Sequence, residues 1–147
     1  MHQLLRTAAL VTLSSALLVG CPTEGSNDDD VADCTSAQRP TLTIVSPDTA
    51  TYFDADEMIS WSLTVTDPDT PPEDLSITLQ DNSGSQGTEL DVDVPVPNAQ
   101  GQTTFTMPAN LLEEGQAVVR VFVEDPEGCS TNDQILLCVD ELIAPCE

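Results

Sequence analysis

The sequence has 147 residues and a formal net charge of −23, because 26 Asp and Glu residues stand against only three Lys and Arg. Nucleic acids and anionic lipid headgroups are bound by clusters of Lys and Arg, so this composition excludes nucleic acid as a partner and excludes a basic membrane-binding patch. The single histidine is His2, and the rest of the chain therefore has none for a Ser-His-Asp or Cys-His catalytic site.

The first 20 residues have the pattern of a secretory signal peptide. Arg6 supplies a positive charge, residues 7–19 are mostly apolar or small, and Gly20 stands before Cys21. This is the order of a charged head, an apolar run and a small residue at the cleavage site. A transmembrane helix needs about 20 apolar residues, and this run is shorter, so the segment is predicted to be removed on export.

The four residues Leu18-Val19-Gly20-Cys21 resemble the lipobox of bacterial lipoproteins, in which an aliphatic residue, a variable position and a Gly or Ala precede a Cys. The resemblance implies that the chain is cut before Cys21, that Cys21 carries a diacylglycerol, and that its new amino terminus is acylated. A plain secretory peptide with an incidental Cys21 is the alternative. Several acyl chains anchor a protein firmly where one binds only marginally, so the lipid on Cys21 would hold the chain on a membrane.

An anchor at Cys21 predicts a protein of the bacterial cell envelope, at the outer membrane in preference to the inner one, on its periplasmic or surface face. The expected partners are the membrane, through the lipid, and an envelope protein or glycan that the sequence does not identify. Arg6 leaves with the signal peptide and every acidic residue stays, so the mature chain is one unit more negative. Such a charge favours solubility and attracts cations or basic partners.

Residues 21–39 are predicted to form an acidic flexible tether that begins at the lipidated Cys21. They offer almost no apolar surface to bury and include the run Asp28-Asp29-Asp30. This composition is typical of a solvated, self-repelling linker, and we interpret the Asp run as solvated charge rather than as a cation site.

Residues 40–139 contain short segments of alternating apolar and polar residues, separated by turn residues. In the clearest segment Ile59, Trp61, Leu63 and Val65 alternate with Ser and Thr, which is the pattern of a half-buried strand. Prolines in the fourth segment place it at a sheet edge. The predicted strands are residues 41–45, 58–66, 75–79, 90–96, 103–107, 117–124 and 134–139.

Short strands without a long helical stretch predict an all-β fold, here a seven-stranded antiparallel sandwich followed by a C-terminal tail at 140–147. The block from Ile59 to Leu79, with its Asp-Pro-Asp-Thr-Pro-Pro-Glu-Asp-Leu loop, and the segment from Gly115 to Gly128 are similar to bacterial immunoglobulin-like, cadherin-like and PKD-like repeats. The resemblance covers about residues 40–139. It implies an immunoglobulin-like fold. Because the mature chain has no histidine and no phosphate-binding or metal motif for catalysis, we expect a binding or adhesion module and not an enzyme. The alternative is a structural spacer or a subunit of an envelope assembly.

The cysteine count predicts two disulfides. Once Cys21 is lipidated, Cys34, Cys129, Cys138 and Cys146 remain, and an even number in an oxidising compartment indicates two bridges with three pairing schemes. Cys129 and Cys138 are separated by a strand of about 30 Å, too far for a disulfide. Of the two remaining schemes, we prefer Cys34–Cys129 with Cys138–Cys146, because residue 34 and the turn after the sixth strand fall at one end of the sandwich.

The same end collects acidic residues from two loops. Asp67, Asp69 and Asp125 predict a calcium site, because calcium takes six to eight oxygen ligands and cadherin-like domains, which this chain resembles, bind calcium at such an end. The alternative is that these Asp side chains accept local backbone hydrogen bonds in turns. No other cofactor is expected. The remaining acidic residues of this end are Glu73, Asp74 and Glu127.

The loops at the opposite end carry exposed apolar residues. Tyr52 and Phe53 follow the first predicted strand, and Leu111 and Leu112 precede the sixth. Apolar residues on loops mark a partner surface, so Tyr52 and Phe53 are candidate partner-binding residues. The alternative is that they fold back and plug the end of the sandwich.

Overall fold

The structure, a computed structural model, describes residues 34–35, 38–84, 86–142 and 144–146. The predicted signal peptide, Cys21 and most of the predicted tether lie outside the described residues. Among the described residues, none of the helices has the length and apolar character that crossing a bilayer requires. Eight strands are present in that part of the chain: β1 (Thr41–Ser46), β2 (Thr51–Phe53), β3 (Met58–Thr66), β4 (Ser76–Asp81), β5 (Thr88–Glu89), β6 (Gln102–Pro108), β7 (Gly115–Glu124) and β8 (Ser130–Val139).

The strands form two sheets, one of three strands in the order β1-β3-β6 and one of five in the order β2-β8-β7-β4-β5. Every pair is antiparallel except β2 and β8, which run parallel. Alternate side chains of a strand point to one face, and the inner faces of the two sheets meet in one core. The chain is therefore an all-β sandwich of the immunoglobulin-like type, as the strand spacing predicts, with eight strands instead of seven.

The core is built mainly by β3 and β7, whose alternation is the clearest in the sequence. Ile59, Trp61, Leu63 and Val65 of β3 are at most 1% exposed. The Trp61 ring is stacked on Phe105 of β6, with ring centroids 6.0 Å apart. Burying a large apolar side chain contributes about 1.5–3 kcal/mol, so this central layer carries much of the fold's stability. The β7 side chains facing it, all fully buried, are Ala117, Val119, Val121 and Val123.

The prediction of a fourth strand at residues 90–96 is wrong. Only Thr88–Glu89 pairs with β4, as the short edge strand β5. Val92 and Val94 are half-buried against the core, so the alternation correctly indicates burial. Pro95, however, has no N–H to donate, and its carbonyl accepts a hydrogen bond from Thr103 Oγ1 at 2.7 Å rather than joining a ladder.

The prediction that Tyr52 and Phe53 lie on a loop is also wrong, although the alternative that they fold back onto the sandwich agrees with their burial. They belong to β2, where Tyr52 pairs with Cys138 and Phe53 with Val139. Both side chains are half-buried, and Phe53 packs against the core. A parallel partner strand supplies the backbone hydrogen bonds of this segment, which explains why it does not remain a loop.

The two disulfides are Cys34–Cys129 and Cys138–Cys146, with Cα–Cα distances of 5.6 and 6.2 Å. Two disulfides agree with the cysteine count, and these are the pairings preferred from the strand order. The first ties the described start of the chain to the turn between β7 and β8. The second holds the C-terminal tail against β8, where Gln116 Nε2 also donates to the Ala144 carbonyl.

Candidate metal centre at the acidic end of the sandwich

Three carboxylates meet where β3 and β7 end. Asp67 directly follows β3, Asp69 lies in the loop after it, and Asp125 directly follows β7. One oxygen from each carboxylate can be chosen so that all three lie within 4.8 Å of one another. Because β3 and β7 belong to different sheets, the cluster joins the two layers of the sandwich at this end.

The Asp67 carboxylate is held by its own loop. Its Oδ1 accepts hydrogen bonds from the backbone N–H groups of Asp69 and Thr70, at 3.1 and 2.8 Å. Its Oδ2 is buried and has no hydrogen-bond partner. An unsatisfied buried oxygen costs about 1–3 kcal/mol, more for a charged group, so this atom has the environment expected of an oxygen ligand for a cation.

The Asp125 carboxylate is held in the same manner by the turn between β7 and β8. It is 5% exposed, and its Oδ1 accepts the backbone N–H of Cys129 at 2.8 Å. The turn is closed by backbone hydrogen bonds from Asp125 N to the Cys129 carbonyl and from Gly128 N to the Asp125 carbonyl. Cys129 is bonded to Cys34, so the described start of the chain lies beside this turn.

The pKa values of the cluster diverge. Burial raises the pKa of Asp67, but hydrogen bonds from the N–H groups of Asp69 and Thr70 and from the Asp69 carboxyl outweigh it, so the pKa is lowered. The pKa of Asp69 is raised, first by its hydrogen bond with the Asp67 carboxyl, then by burial, and then by the negative charges of Asp67, Glu127 and Asp125. A cation between these groups would relieve the repulsion and keep all of them ionised.

The residues present fit a calcium ion. Calcium binds oxygen at about 2.3–2.6 Å, so ligands on opposite sides of an ion lie about 5 Å apart; three oxygens within 4.8 Å can share one. The prediction of local turn hydrogen bonds is confirmed, because Oδ1 of Asp67 and of Asp125 accepts backbone N–H groups, and such bonds are compatible with calcium on other carboxylate oxygens. Glu73 and Asp74, expected at the same end, lie on a short 3-10 helix, Pro72–Asp74, outside the cluster.

Thr70 is a residue of this site that the sequence analysis did not identify. It is 8% exposed, and its N–H fixes Asp67 Oδ1. The available signal is its position three residues after Asp67, the spacing at which an Asp side chain caps the backbone of its own turn.

At the opposite end the candidate partner residues are partly enclosed. The Tyr52 hydroxyl donates to Asp54 Oδ1 at 2.6 Å, and this hydrogen bond is the main reason that the pKa of Tyr52 is raised to about 12. Leu112 is buried and Leu111 is 40% exposed. Partner binding by Tyr52 and Phe53 stays a prediction.

Two of three comparisons with known proteins found no match. No protein-family model matches it, and no curated protein does. It is similar in fold to an endo-beta-1,4-mannanase from Thermotoga petrophila (14% identity, TM-score 0.47, 69% of this chain and 20% of that chain). It is also similar to the fibronectin(III)-like modules of CbhA from Clostridium thermocellum (16% identity, TM-score 0.47, 69% of this chain and 47% of that chain). A third similar structure is murine CRIg (12% identity, TM-score 0.42, 70% of this chain and 99% of that chain). The chain thus spans less than half of the first two.

The fold assignment therefore rests on the strand order and register of the chain itself. A three-stranded and a five-stranded sheet packed face to face define an immunoglobulin-like sandwich. Such a fold is consistent with a non-catalytic binding or structural module.

Proposed function

We propose that the chain is a lipid-anchored, non-catalytic binding module of the bacterial cell envelope. The observation that carries the proposal is the Cys34–Cys129 disulfide, because disulfides persist outside the cytoplasm. This bridge also joins Cys34, where the described chain starts, to one end of the sandwich. The lipid on Cys21 then anchors the chain to the membrane, and the loops and sheet faces of the sandwich remain accessible to a partner.

The absence of catalysis is supported by the chemistry of the chain. With its only histidine at position 2, the body has no imidazole to act as a general base. A cleft of about 420 Å3 on the three-stranded sheet has no carboxylate or thiol among its lining residues, which are Ser46, Ser60, Trp61, Ser62, Thr104, Phe105 and Thr106. A protein or glycan partner is compatible with such a surface.

We also propose that the Asp67, Asp69 and Asp125 cluster binds calcium and that the ion stabilises the acidic end. The buried, partnerless Oδ2 of Asp67 supports this proposal, as does the mutual approach of the three carboxylates. Calorimetric titration of the protein with calcium is expected to give saturable heat at or below millimolar ion, the range of extracellular calcium modules. No heat at millimolar calcium would remove the site.

Membrane attachment is tested by replacing the lipidated residue. The Cys21→Ser variant is expected to leave the membrane fraction or to accumulate uncleaved, because it lacks the sulfur that carries the diacylglycerol. A Ser26→Cys change in the same segment, made with Cys21 intact, is the control and should stay with the membranes. A Cys21→Ser variant that is cleaved after Gly20 and still pellets with membranes to the wild-type extent would contradict the anchor.

A further inference from the structure

The outer face of the five-stranded sheet carries a regular array of side chains that the proposed function does not use. The registers of β4, β7 and β8 align three rows of three residues across this face. The far end of the face is covered by the C-terminal tail through Cys138–Cys146, and the three rows lie on the part beyond that cover. From the acidic end the rows are Ser76-Glu124-Ser130, Thr78-Phe122-Asn132 and Gln80-Arg120-Gln134.

Arg120, in the middle strand of this array, lacks a charge partner. Arg39 and Arg120 are the two cations in the part of the chain that the structure describes, and Arg39 donates to the Ser130 carbonyl at 3.1 Å. Arg120 donates to Gln134 Oε1 at 3.3 Å and its guanidinium lies 5.9 Å from the Phe122 ring centroid. Its Nε is buried without a partner. Among the described residues it forms no ion pair, although the chain has 26 acidic side chains.

Glu124 is the counterpart of Arg120 on the same face. It lies four residues further along β7, about 13 Å away at the rise of an extended strand, so the two cannot pair within one chain. Phe122 stands midway between them. Consider a twofold axis that lies in the plane between two such faces and runs perpendicular to β7 at Phe122. It would set Arg120 of each copy over Glu124 of the other copy.

We propose that this face, centred on Phe122, binds a second copy of the chain. The twofold axis pairs Arg120 of each copy with Glu124 of the other and sets the two Phe122 rings against each other. On the flanking strands β4 and β8, it places the Ser of one copy over the Gln of the other copy. The contact is therefore isologous, with each residue facing its complement. The nine residues of the three rows carry no net charge in a strongly negative molecule, and Glu89 of β5 extends the Gln80 row only at the sheet edge, so two copies meet along the rows without like charges opposed.

A cleft of about 250 Å3 beside Phe122 supports this occupant. Its lining includes Glu124, the residue over which the twofold axis places the other copy's Arg120. A guanidinium that enters the cleft would gain the carboxylate that it lacks in the single chain, with the fork geometry that Arg forms with carboxylates. Buried Arg and aromatic side chains at the centre of a contact are also those that contribute most to binding. The other lining residues are Ser76, Thr78, Gln80, Phe122 and Ser130.

The size of the face predicts a weak, reversible dimer. Three strands and three rows cover about 300 Å2 per copy at sheet spacings, or about 600 Å2 in total, below the about 1,200 Å2 of stable complexes. The axis places the two Cys34 attachment points at opposite ends of the pair. A predicted tether from Cys21 to Cys34 reaches about 40 Å when extended, and confinement on one membrane raises the effective concentration of the two copies.

The test is sedimentation of the exported Cys21→Ser chain at physiological salt over a wide concentration range. The chain with Arg120 and Glu124 unchanged is expected to form a dimer whose population rises with concentration. Arg120→Glu or Glu124→Arg alone should each weaken it at least about tenfold, because like charges then face each other. An equimolar mixture of the two variants should restore association, since the mixed pair regains both ion pairs.

Controls separate the contact from folding. Thr104→Glu places a new charge on the outer face of the other sheet and should leave association unchanged. Glu124 is exposed, so Glu124→Arg keeps the fold and decides the test even if Arg120→Glu does not fold. A wild-type chain that stays monomeric at its highest soluble concentration overturns the proposal. So does a dimer that Glu124→Arg leaves intact, or single variants that both fold and whose mixture does not associate.

Discussion

At the scale of single residues, Asp69 is the carboxylate of the acidic end whose negative charge is least compensated. The Asp67 and Asp125 carboxylates are each fixed by backbone N–H groups, whereas Asp69 is exposed and faces three like charges. Folding raises the pKa of Asp69 above its ordinary 3.8. The folded chain therefore holds this proton more tightly than the unfolded chain does, and the associated stability, complete below pH 3.8, is lost as pH rises through the folded pKa.

The first prediction is that Asp69→Asn has opposite effects with and without calcium. In a chelator, the variant should unfold at a higher temperature than the wild type at neutral pH, and the difference should shrink toward pH 3, where Asp69 is protonated. In saturating calcium the order should reverse, because the variant lacks a ligand and ligand binding stabilises in proportion to affinity. Asp74→Asn, outside the cluster, is the control, and a variant less stable than wild type in the chelator would contradict the repulsion.

The second prediction concerns the turn that precedes β6. Gly101 has φ +75°, and a Cβ there would lie 1.9 Å from the Val65 carbonyl oxygen. Its own carbonyl accepts the Val65 N–H at 2.8 Å, so the backbone cannot easily move away. Gly101→Ala should lower the free energy of unfolding by more than about 2 kcal/mol, measured by urea denaturation.

Gly84→Ala is the matched control for that change. The nearest atom to a Cβ at Gly84 is 3.9 Å away, and no positive φ is involved. This variant should stay within about 0.5 kcal/mol of the wild type. If both variants lost the same free energy of unfolding, the close approach of Gly101 to β3 would not be the cause of the destabilisation.

At the scale of elements, the two disulfides close loops of very different length. Cys34 and Cys129 are 95 residues apart, and Cys138 and Cys146 are 8 apart. A cross-link removes conformational entropy from the unfolded chain in proportion to the logarithm of the loop length. The long bridge therefore constrains the unfolded chain more than the short one.

The third prediction follows from this difference. Replacing Cys34 and Cys129 by Ala should cost about 4–5 kcal/mol of unfolding free energy, and replacing Cys138 and Cys146 about 2–3 kcal/mol. The measurement is guanidinium denaturation of the two double variants. A larger loss from the short tail bridge would contradict the loop-length account and would mean that the tail contributes packing rather than entropy.

The strands show how far the sequence determines these elements. β3 and β7 are readable because their inward residues alternate over many positions, from Ile59 to Val65 and from Ala117 to Val123. β2 has three residues, too few for a period, and its partner β8 is remote in sequence. At residues 90–96 the alternation reflects burial without pairing, because a proline without an N–H donor removes a ladder bond.

The candidate metal centre was predictable in its membership and not in its detail. Strand order alone places the loops after β3 and β7 at one end, which brings Asp67, Asp69 and Asp125 together. Which oxygen serves the backbone and which is left buried depends on the turn conformation around Thr70 and Cys129. Those contacts span three and four residues, so the spacing indicates that they can form but does not tell which oxygen of each carboxylate is left buried.

At the scale of the whole molecule, charge is distributed unevenly. The three-stranded sheet presents an outer face without a charged residue, in a chain whose net charge is −23. The acidic residues lie mainly on the loops and the edge segments, where water and salt screen them. Neutral faces and acidic ends suit a molecule that keeps its solubility while a sheet face remains free to bind. The outward positions of that face include Thr41, Thr43, Ser60, Ser62, Thr64, Thr104 and Thr106.

The central claim is that an oxidised sandwich hangs from a lipid on Cys21, and intact-mass spectrometry of the membrane-extracted protein tests it most directly. The account predicts a chain that begins at Cys21, carries a diacylglycerol and an amide-linked acyl group, and has lost four hydrogen atoms to Cys34–Cys129 and Cys138–Cys146. A chain that still begins at Met1, or one that begins at Cys21 without lipid, would contradict it.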